Sequence, residues 1–248
     1  AAFKLYPQAT PNAYAIEKRG VAPCRDACPA GQRAQGYIAL VREGRIEDAM
    51  RTIKEDNPFP AICGRVCNRP CETACSRAKV DEAINIRGLK RFVTDTIYAK
   101  PRVAPEPVPR RFDERIAVIG AGPCGLTAAQ DLCLDGYGVT VFEALPTAGG
   151  MLRFGVPEYR LPAAVVDREV QDILDLGVEL RTNTPVTSLE DLFGDGFKAV
   201  LVAAGAQEGI RLGIPGANLD GVLINTHFLR DVRLAEIDDD AKDPRSDI

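Results

Sequence analysis

A short apolar run that leads into a glycine-rich turn most constrains the fold of this chain. Residues 115–120 read Arg-Ile-Ala-Val-Ile-Gly, and Gly120–Gly125 have the sequence G-x-G-x-x-G. A helix is predicted over residues 124–135, where Gly136 ends it, and a second strand over residues 139–143. This order of strand, tight turn, helix and strand is typical of a β-α-β unit. It predicts a Rossmann-like, doubly wound α/β domain with a parallel sheet.

The spacing within this glycine turn, Gly120–Gly125, predicts a dinucleotide site. Gly120 permits the tight turn, Gly122 lets the backbone approach a pyrophosphate, and Gly125 lets the helix pack closely on the strand. The helix N-terminus adds free amides and a favourable dipole. Glu143 follows Gly120 by 23 residues, where a carboxylate can accept hydrogen bonds from ribose hydroxyls. The spacing alone does not separate FAD from NAD.

A proline-rich segment separates this domain from a different kind of sequence. Residues 101–110 hold four prolines, which oppose both helix and central strand, so an extended linker is predicted there. Before it, apolar residues recur at helical spacing without strand alternation. The predicted fold class is therefore α/β, with an all-helical domain followed by the Rossmann-like domain. The expected divisions are a helical domain (1–100), a linker (101–113), the Rossmann-like domain (114–230) and an acidic linker or tail (231–248).

Six of the eight cysteines lie in the helical domain at short, regular spacings. They are Cys24, Cys28, Cys63, Cys67, Cys71 and Cys75. Pro70 suits the first turn of a helix, which would place Cys71 and Cys75 on one face. Six thiols spaced so closely indicate a metal site of some kind.

Three uses of these thiols compete. Disulfides are disfavoured because eight cysteines in 248 residues is well below the density of a disulfide scaffold. Structural zinc suits the spacing. An iron–sulfur cluster also takes thiolates at short spacings, often with a Cys-Pro pair such as Cys28-Pro29. Cationic side chains that would offset the negative charge of a cluster lie nearby, namely Arg25, Arg65, Arg69 and Arg77.

Composition excludes several other classes of protein. A single histidine, His227, makes a His-rich metal site or a Ser-His-Asp triad improbable. No apolar run approaches the roughly 18 residues of a membrane span, and the N-terminus has no signal core, so we expect a cytoplasmic protein without membrane insertion. Residues 1–100 carry 17 Lys and Arg against 11 Asp and Glu, and the rest carry 14 against 24. Without tryptophan or interleaved aromatics, this mildly basic front does not indicate nucleic-acid binding.

Two further sets of residues bring in a resemblance. Residues 149–162 read Gly-Gly-Met-Leu-Arg-Phe-Gly-Val-Pro-Glu-Tyr-Arg-Leu-Pro, and in this position they closely resemble the FAD domain of the NADPH-dependent glutamate synthase small subunit family. The segments 24–29, 57–67 and 84–92 resemble the iron–sulfur domain of the same family, which dihydropyrimidine dehydrogenase shares. The resemblance covers roughly residues 15–230.

The resemblance implies cofactors, partners and site residues. It implies FAD, a [4Fe-4S] cluster and NAD(P)H, with electrons passing to other subunits of a redox complex. The implied dinucleotide-binding residues are Gly120, Gly122, Pro123, Gly125, Glu143, Gly150, Met151, Leu152, Val186 and Gly205. The implied cluster ligands are Cys28, Cys67 and Cys71 for one cluster and Cys24 and Cys75 for another. No general acid or base is needed for electron relay, so no catalytic residue is nominated.

The sequence departs from the family pattern in three places. Ile16 and Arg19 stand where the family has two further cysteines, and Lys90 lies where relatives often supply a fourth, non-cysteine ligand. One cluster with a regrouped ligand set is therefore expected, with two as the alternative. No second glycine fingerprint follows, so NAD(P)H is expected to bind through a domain that this chain lacks.

The function predicted from the sequence is a flavin and iron–sulfur electron-transfer module of an NAD(P)H-dependent oxidoreductase. The alternative from a different class is a non-catalytic adaptor subunit, with structural zinc beside a vestigial nucleotide-binding fold. An NAD-only dehydrogenase is a third interpretation.

Overall fold

The computed structural model describes the backbone of residues 21–240 and the side chains up to residue 237. Two sequence expectations lie outside this part of the chain. One concerns Ile16 and Arg19, and the other concerns the last residues of the acidic tail, 241–248.

Residues 21–100 form only helices and turns, as the apolar periodicity predicts. The helices are α1 (Pro23–Asp26), α2 (Ala34–Arg42), α3 (Ile46–Lys54), α4 (Pro60–Val66), α5 (Pro70–Thr73) and α6 (Ile86–Tyr98), and a 3₁₀ turn at Ser76–Lys79 precedes α6. Gly44 makes the turn between α2 and α3 at a φ of 75°, a region that favours glycine. Pro60 and Pro70 begin their helices, where a missing N–H costs nothing.

Helices α2, α3 and α6 pack around one apolar core. Its buried members are Ala34, Tyr37, Ala49, Met50, Ile53, Ile86 and Val93. The Tyr37 hydroxyl is also buried, and it donates a hydrogen bond to the Ile86 carbonyl at 3.0 Å. This bond holds the start of α6 against α2.

Four parallel strands form the sheet, in the order β3-β2-β1-β4. They are β1 (Arg115–Ile119), β2 (Gly138–Phe142), β3 (Glu179–Arg181) and β4 (Phe197–Val202). Ile116 of β1 pairs with Val139 of β2 on one side and with Ala199 of β4 on the other. The predicted doubly wound sheet is confirmed, and its topological switch point lies between the carboxyl ends of β1 and β4.

Helices pack on both faces of the sheet, and the last helix of the domain packs on another helix instead. The helices are α7 (Pro123–Leu134), α8 (Met151–Phe154), α9 (Ala163–Leu174), α10 (Leu189–Gly194) and α11 (Asn225–Asp240). Because side chains alternate along a strand, Val118 points into the core with α7 and α9, whereas Ala117 points into a smaller core beside α10.

The helical and sheet regions share a core. Phe59 and Ile62, at the start of α4, belong to the same buried cluster as Val166 and Val170 of α9. The proline-rich segment also lies against the sheet region, where the Val108 amide donates to the Leu176 carbonyl at 2.8 Å. The chain between the two regions is therefore packed rather than freely hanging.

The structure differs from the sequence expectation after residue 230. We expected an acidic linker or tail over residues 231–248, but helix α11 continues to Asp240. Arg233 on this helix pairs with Glu158 at 3.0 Å and also with Glu236 one turn further on. These pairs and the packing of α11 on α8 offset the acidic repulsion that argued for a linker.

Candidate functional site

The glycine turn lies at the carboxyl end of β1 and opens α7. Gly120 has a φ of 105°, and a Cβ placed there would lie 2.5 Å from the Ala203 carbonyl oxygen. The neighbouring strand end therefore passes too close for any side chain. The Ala203 amide in turn donates to the Ile119 carbonyl at 2.8 Å. The turn is held by backbone contacts on both sides.

A second glycine pair faces the first across the mouth of the site. The Gly149 amide donates to the Ala121 carbonyl at 2.8 Å, which brings Gly150 beside Gly122. Gly150 has a φ of 51°, and a Cβ there would lie 2.8 Å from the Gly122 Cα. The result is a strip of bare backbone at the N-terminus of α7, which is the surface that a pyrophosphate requires.

Glu143 ties this turn to the end of β2. Its side chain is buried, its Oε2 accepts a hydrogen bond from the Ala121 amide at 2.7 Å, and its Oε1 accepts one from the Leu145 amide at 2.9 Å. Each carboxylate oxygen has a second lone pair, so ribose hydroxyls can still donate to it. The residues present therefore fit an adenosine dinucleotide.

The other predicted dinucleotide residues lie around the same edge of the sheet. Pro123 is the exposed first residue of α7, and Met151 and Leu152 begin α8, directly after Gly150. Gly205 follows the end of β4 at a φ of 70°. Val186 lies in the loop after β3 and packs against the smaller core beside α10. The ten predicted residues thus follow the carboxyl ends of the parallel strands, which is where such folds bind ligands.

The cysteines gather through the packing of short helices. Cys24 lies on α1 and Cys71 on α5, and these two helices pack against each other. Burial raises the pKa of the Tyr37 hydroxyl, and the negative charges of Cys71, Cys28 and Cys24 raise it further. Three predicted ligands from two separate segments therefore surround one buried tyrosine.

Cys28, Cys67 and Cys71, which the resemblance assigns to one cluster, are named here the first thiol group. Burial raises the pKa of the Cys71 thiol, and the charges of Cys28, Glu72 and Cys67 add to that rise. Cys67 ends α4, and its Sγ accepts a hydrogen bond from the Arg69 amide at 3.3 Å. An amide donor of this kind stabilises a thiolate, which is the form that binds iron.

Cys24 and Cys75 form the second thiol group. Both line a cavity of about 340 Å³ that also has Arg42 and Arg77 in its wall. Hydrogen bonds from backbone amides, the Ile84 amide first, lower the pKa of the Cys75 thiol. Cys24 and Cys75, which the resemblance assigns together, thus share the wall of one cavity.

Cys63 and Lys90 stand beside the first thiol group. Burial raises the pKa of the Cys63 thiol, whereas a hydrogen bond to Asn57 and the positive charge of Lys90 oppose the rise. The same charge opposes the rise at Cys71. Lys90 is only 9% exposed, so its ammonium lies inside the helical region near two thiols. The sequence signal for this burial is the position of Lys90 on the apolar stripe of α6, four residues after Ile86.

Sequence reasoning missed other residues that shape this region. Arg87 donates to the Cys67 carbonyl at 2.8 Å, and its amide donates to Glu72 at 2.8 Å. Glu169, from the sheet region, accepts hydrogen bonds from the first amides of α4. Such roles depend on tertiary packing and leave no local motif.

Within the described residues, no three His, Cys, Asp or Glu side chains lie close enough together to hold a single metal ion. The thiols of a [4Fe-4S] cluster bind different irons, so they stand farther apart than the ligands of one zinc ion.

Comparison with protein families gives two matches. Residues 8–101 match the family described as dihydropyrimidine dehydrogenase domain II, 4Fe-4S cluster. Residues 118–175 match the NAD(P)-binding Rossmann-like domain. The matches confirm a 4Fe-4S region before the linker and a dinucleotide-binding region after it. They do not identify individual ligands.

Three curated relatives cover most of this chain. The β subunit of NADPH-Fe(3+) oxidoreductase from Geobacter sulfurreducens is 38% identical over 213 residues, which are 83% of this chain and 31% of the relative. The glutamate synthase [NADPH] small chain of Mycobacterium tuberculosis is 35% identical and covers 90% and 46%. Subunit PreT of the NAD-dependent dihydropyrimidine dehydrogenase of Escherichia coli is 37% identical and covers 88% and 53%. The chain thus spans between about a third and a half of these relatives.

Among solved structures, FprA of Mycobacterium tuberculosis in complex with NADPH matches 47% of this chain and 28% of its own at 26% identity, with a TM-score of 0.43. That score is too low to establish a shared fold. A search of the described helices finds none with the length and apolar character needed to cross a membrane.

Proposed function

Because the chain is a homologue of the glutamate synthase small chain and of the related oxidoreductase subunits, we propose that it is an electron-transfer module of an NAD(P)H-dependent oxidoreductase. In this proposal it binds FAD at the glycine turn and a [4Fe-4S] cluster at the first thiol group. A nicotinamide nucleotide donates the electrons and a partner subunit receives them. A specificity like that of the glutamate synthase small subunit, and the relay of electrons to a partner subunit, are also part of this proposal.

The observation that carries the proposal is the joining of two unlike sites through one core. A backbone cradle suited to a dinucleotide lies in the sheet region, and the thiols lie in helices packed directly on that region. Buried contacts between the regions fix the distance between the sites, as a relay requires. A vestigial nucleotide fold would have no reason to keep bare backbone at Gly122, where a Cβ would meet only the Gly150 Cα at 4.0 Å.

We assign the dinucleotide site to the chain's own residues as follows. Gly120, Gly122 and Gly125 would present backbone amides to the pyrophosphate, with Pro123 opening the helix behind them. Glu143 would accept hydrogen bonds from the adenosine ribose. The flavin side would run along Gly150, Met151 and Leu152, while Val186 would lie near the adenine and Gly205 would allow a second close approach.

We assign one cluster to Cys28, Cys67 and Cys71, and we assign Cys24 and Cys75 to the second thiol group. The Arg69 amide donates a hydrogen bond to the Cys67 Sγ at 3.3 Å, and Lys90 supplies a nearby positive charge. When bound, FAD supplies a two-electron carrier and the cluster a one-electron carrier. The protein's part is to hold both groups, exclude water and set their potentials. The division at residues 101–113 into an iron–sulfur part and an FAD part belongs to the same proposal.

Cofactor analysis of the anaerobically purified chain tests the proposal. We expect iron and acid-labile sulfide, together with flavin that is released on denaturation. Zinc without sulfide in a colourless protein would support the adaptor instead. Iron and sulfide without flavin, with NAD bound, would support an NAD-only enzyme.

A further inference from the structure

A buried carboxylate joins the two regions of the molecule. Glu169 lies on α9 in the sheet region, and its side chain is 0% exposed. Its Oε1 accepts a hydrogen bond from the Ala61 amide at 2.7 Å, and its Oε2 accepts one from the Ile62 amide at 3.1 Å. Both donors belong to α4, more than 100 residues earlier in the chain. A carboxylate is costly to bury, so these partners indicate a defined role.

Glu169 acts as the N-terminal cap that α4 lacks locally. The residue before the helix is Phe59, whose side chain makes no capping hydrogen bond, and Pro60 has no amide hydrogen. Ala61 and Ile62 are the amides that a capping side chain normally satisfies. The carboxyl oxygens of Glu169 face the N-terminal end of the helix, where the free amides point.

The same carboxylate reaches a second helix beside the thiols. The Tyr98 hydroxyl, at the end of α6, donates to Glu169 Oε1 at 3.1 Å. The Arg168 guanidinium stacks over the Tyr98 ring at 4.2 Å and donates to the Tyr98 carbonyl. Helices α4 and α6 pack together along their length, and Arg65 pairs with Asp95 between them at 2.6 Å. Glu169 therefore contacts two helices. One is α4, which contains Cys63 and is followed by Cys67, and the other is α6, which packs on α4.

The helix that carries Glu169 also touches the dinucleotide side. Val166, one turn earlier on α9, lies against Gly149. A Cβ placed on Gly149 would be only 3.0 Å from the Val166 side chain. Asp167 pairs with Arg153, which also donates to the Ala148 carbonyl at 2.8 Å. Helix α9 thus contacts the Gly149–Gly150 turn through Val166 and, one turn later, the cysteine-bearing helix α4 through Glu169.

We propose that Glu169 is a positioning residue for electron transfer, which caps α4 and thereby fixes the Cys67 end of that helix relative to the Gly149–Gly150 turn. The inference rests on the proposed function. The step it serves is the passage of one electron from reduced FAD, which is oxidised, to the oxidised [4Fe-4S] cluster, which is reduced. Glu169 touches neither group and acts only through α4 and α6.

Three variants separate this role from general stability. Glu169→Leu keeps the volume but removes all three acceptor contacts, whereas Glu169→Gln keeps one acceptor oxygen, which can still accept from the Ala61 amide and the Tyr98 hydroxyl. Asp172→Asn is the matched control, because Asp172 lies on the next turn of α9 and pairs with Lys54 at 2.5 Å without touching α4. Should the leucine variant fail to fold, Tyr98→Phe takes its place in the test, because this change removes one contact from the same carboxylate.

The test measures the rate of flavin-to-cluster electron transfer in the loaded chain after flash reduction, together with amide exchange in the unloaded chain. We expect Glu169→Leu to slow transfer by at least about tenfold at unchanged flavin and iron content, since small displacements of reacting groups cost this much. Its Ala61 and Ile62 amides should exchange faster. We expect Glu169→Gln to restore most of the rate and Asp172→Asn to leave it unchanged. The Tyr98→Phe substitute should slow transfer by a few-fold.

Two outcomes would overturn the role of Glu169. One is a wild-type transfer rate in the loaded leucine variant, or in Tyr98→Phe if that variant replaces it. The other is an equal loss of rate in Asp172→Asn, which would assign the effect to the interface as a whole. A wild-type chain without iron or flavin would instead overturn the proposed function, and the electron-transfer role would fall with it.

Discussion

The two candidate sites of this molecule are built by opposite means. The dinucleotide side is made of backbone from which side chains are missing, and its glycine turn is contiguous in the sequence. The first thiol group is made of side chains that come from the α1 segment, the end of α4 and helix α5. Adding a side chain should therefore disrupt the dinucleotide site, whereas removing a thiol should disrupt the first thiol group. The predictions below use that difference, starting with the largest expected effect.

Replacing Gly122 by leucine should empty the flavin site while the chain still folds. A Cβ at Gly122 would meet only the Gly150 Cα, at 4.0 Å, so the protein itself has room for it. The pyrophosphate would need that space. We expect flavin released on denaturation to fall close to zero, with a thermal midpoint near that of the wild type.

Gly120→Leu is the matched control for Gly122→Leu. At Gly120 the positive φ and the Ala203 carbonyl oxygen, 2.5 Å from a placed Cβ, both oppose a side chain. This variant should lose stability as well as flavin. Full flavin occupancy in the Gly122 variant would remove that residue from the site.

Replacing Cys67 by serine should lower the iron content and spare the flavin. Cys67 belongs to the first thiol group, and a serine oxygen is a poorer ligand for iron than a thiolate. Iron and flavin per chain are measured on the same preparation. Cys124→Ser is the control, because Cys124 is exposed in the glycine turn, away from the thiols, and should leave iron unchanged. Unaltered iron in the Cys67 variant would exclude it as a ligand.

The contrast between the sites also explains what the sequence could reveal. The glycine turn, strands β1 and β2 and the stripes of α2, α3 and α6 follow local rules, and the structure agrees with them within a few residues. Glu169 has no such signal, since its role comes from a helix that packs on it, and Lys90 is marked only by its place on the apolar stripe of α6. The acidic composition of residues 231–240 predicted a linker or tail, and the structure forms a helix there, on which Arg233 pairs with Glu158.

Glu169 should make stability depend on pH in a particular direction. Burial raises the pKa of Glu169 to about 7, although the Ala61 and Ile62 amides and the Tyr98 hydroxyl favour its charged form. The native state therefore holds this proton more tightly than the unfolded state does. The stability that comes from this tighter proton binding is fully present below the unfolded pKa of Glu169 and is lost as the pH rises through about 7.

The measurement is urea unfolding of the wild type and Glu169→Gln between pH 4.5 and 8. The free energy of unfolding of the wild type should fall relative to the variant by up to roughly 3 kcal/mol as the pH rises. Lys54, Asp172 and Arg168 also lie at this contact, and they are common to both proteins, so their effects cancel in the difference. A constant difference across this range would show that Glu169 is ionised in the native state throughout.

The smallest expected effect concerns Lys90 and the unloaded thiols. Lys90→Met keeps the length of the buried chain but removes the positive charge that opposes the raised pKa of Cys63 and Cys71. Both pKa values should therefore rise further, and alkylation of these two cysteines near neutral pH should slow because less thiolate is present. Arg91→Met is the control, since Arg91 is exposed and pairs with Asp95 instead. Mass spectrometry of each cysteine over time decides the matter: equal slowing in both variants, or none in either, would mean that the ammonium does not act on the thiols. Slowing confined to Lys90→Met would show that the thiol site, unlike the glycine turn, depends on a charge that no local motif specifies.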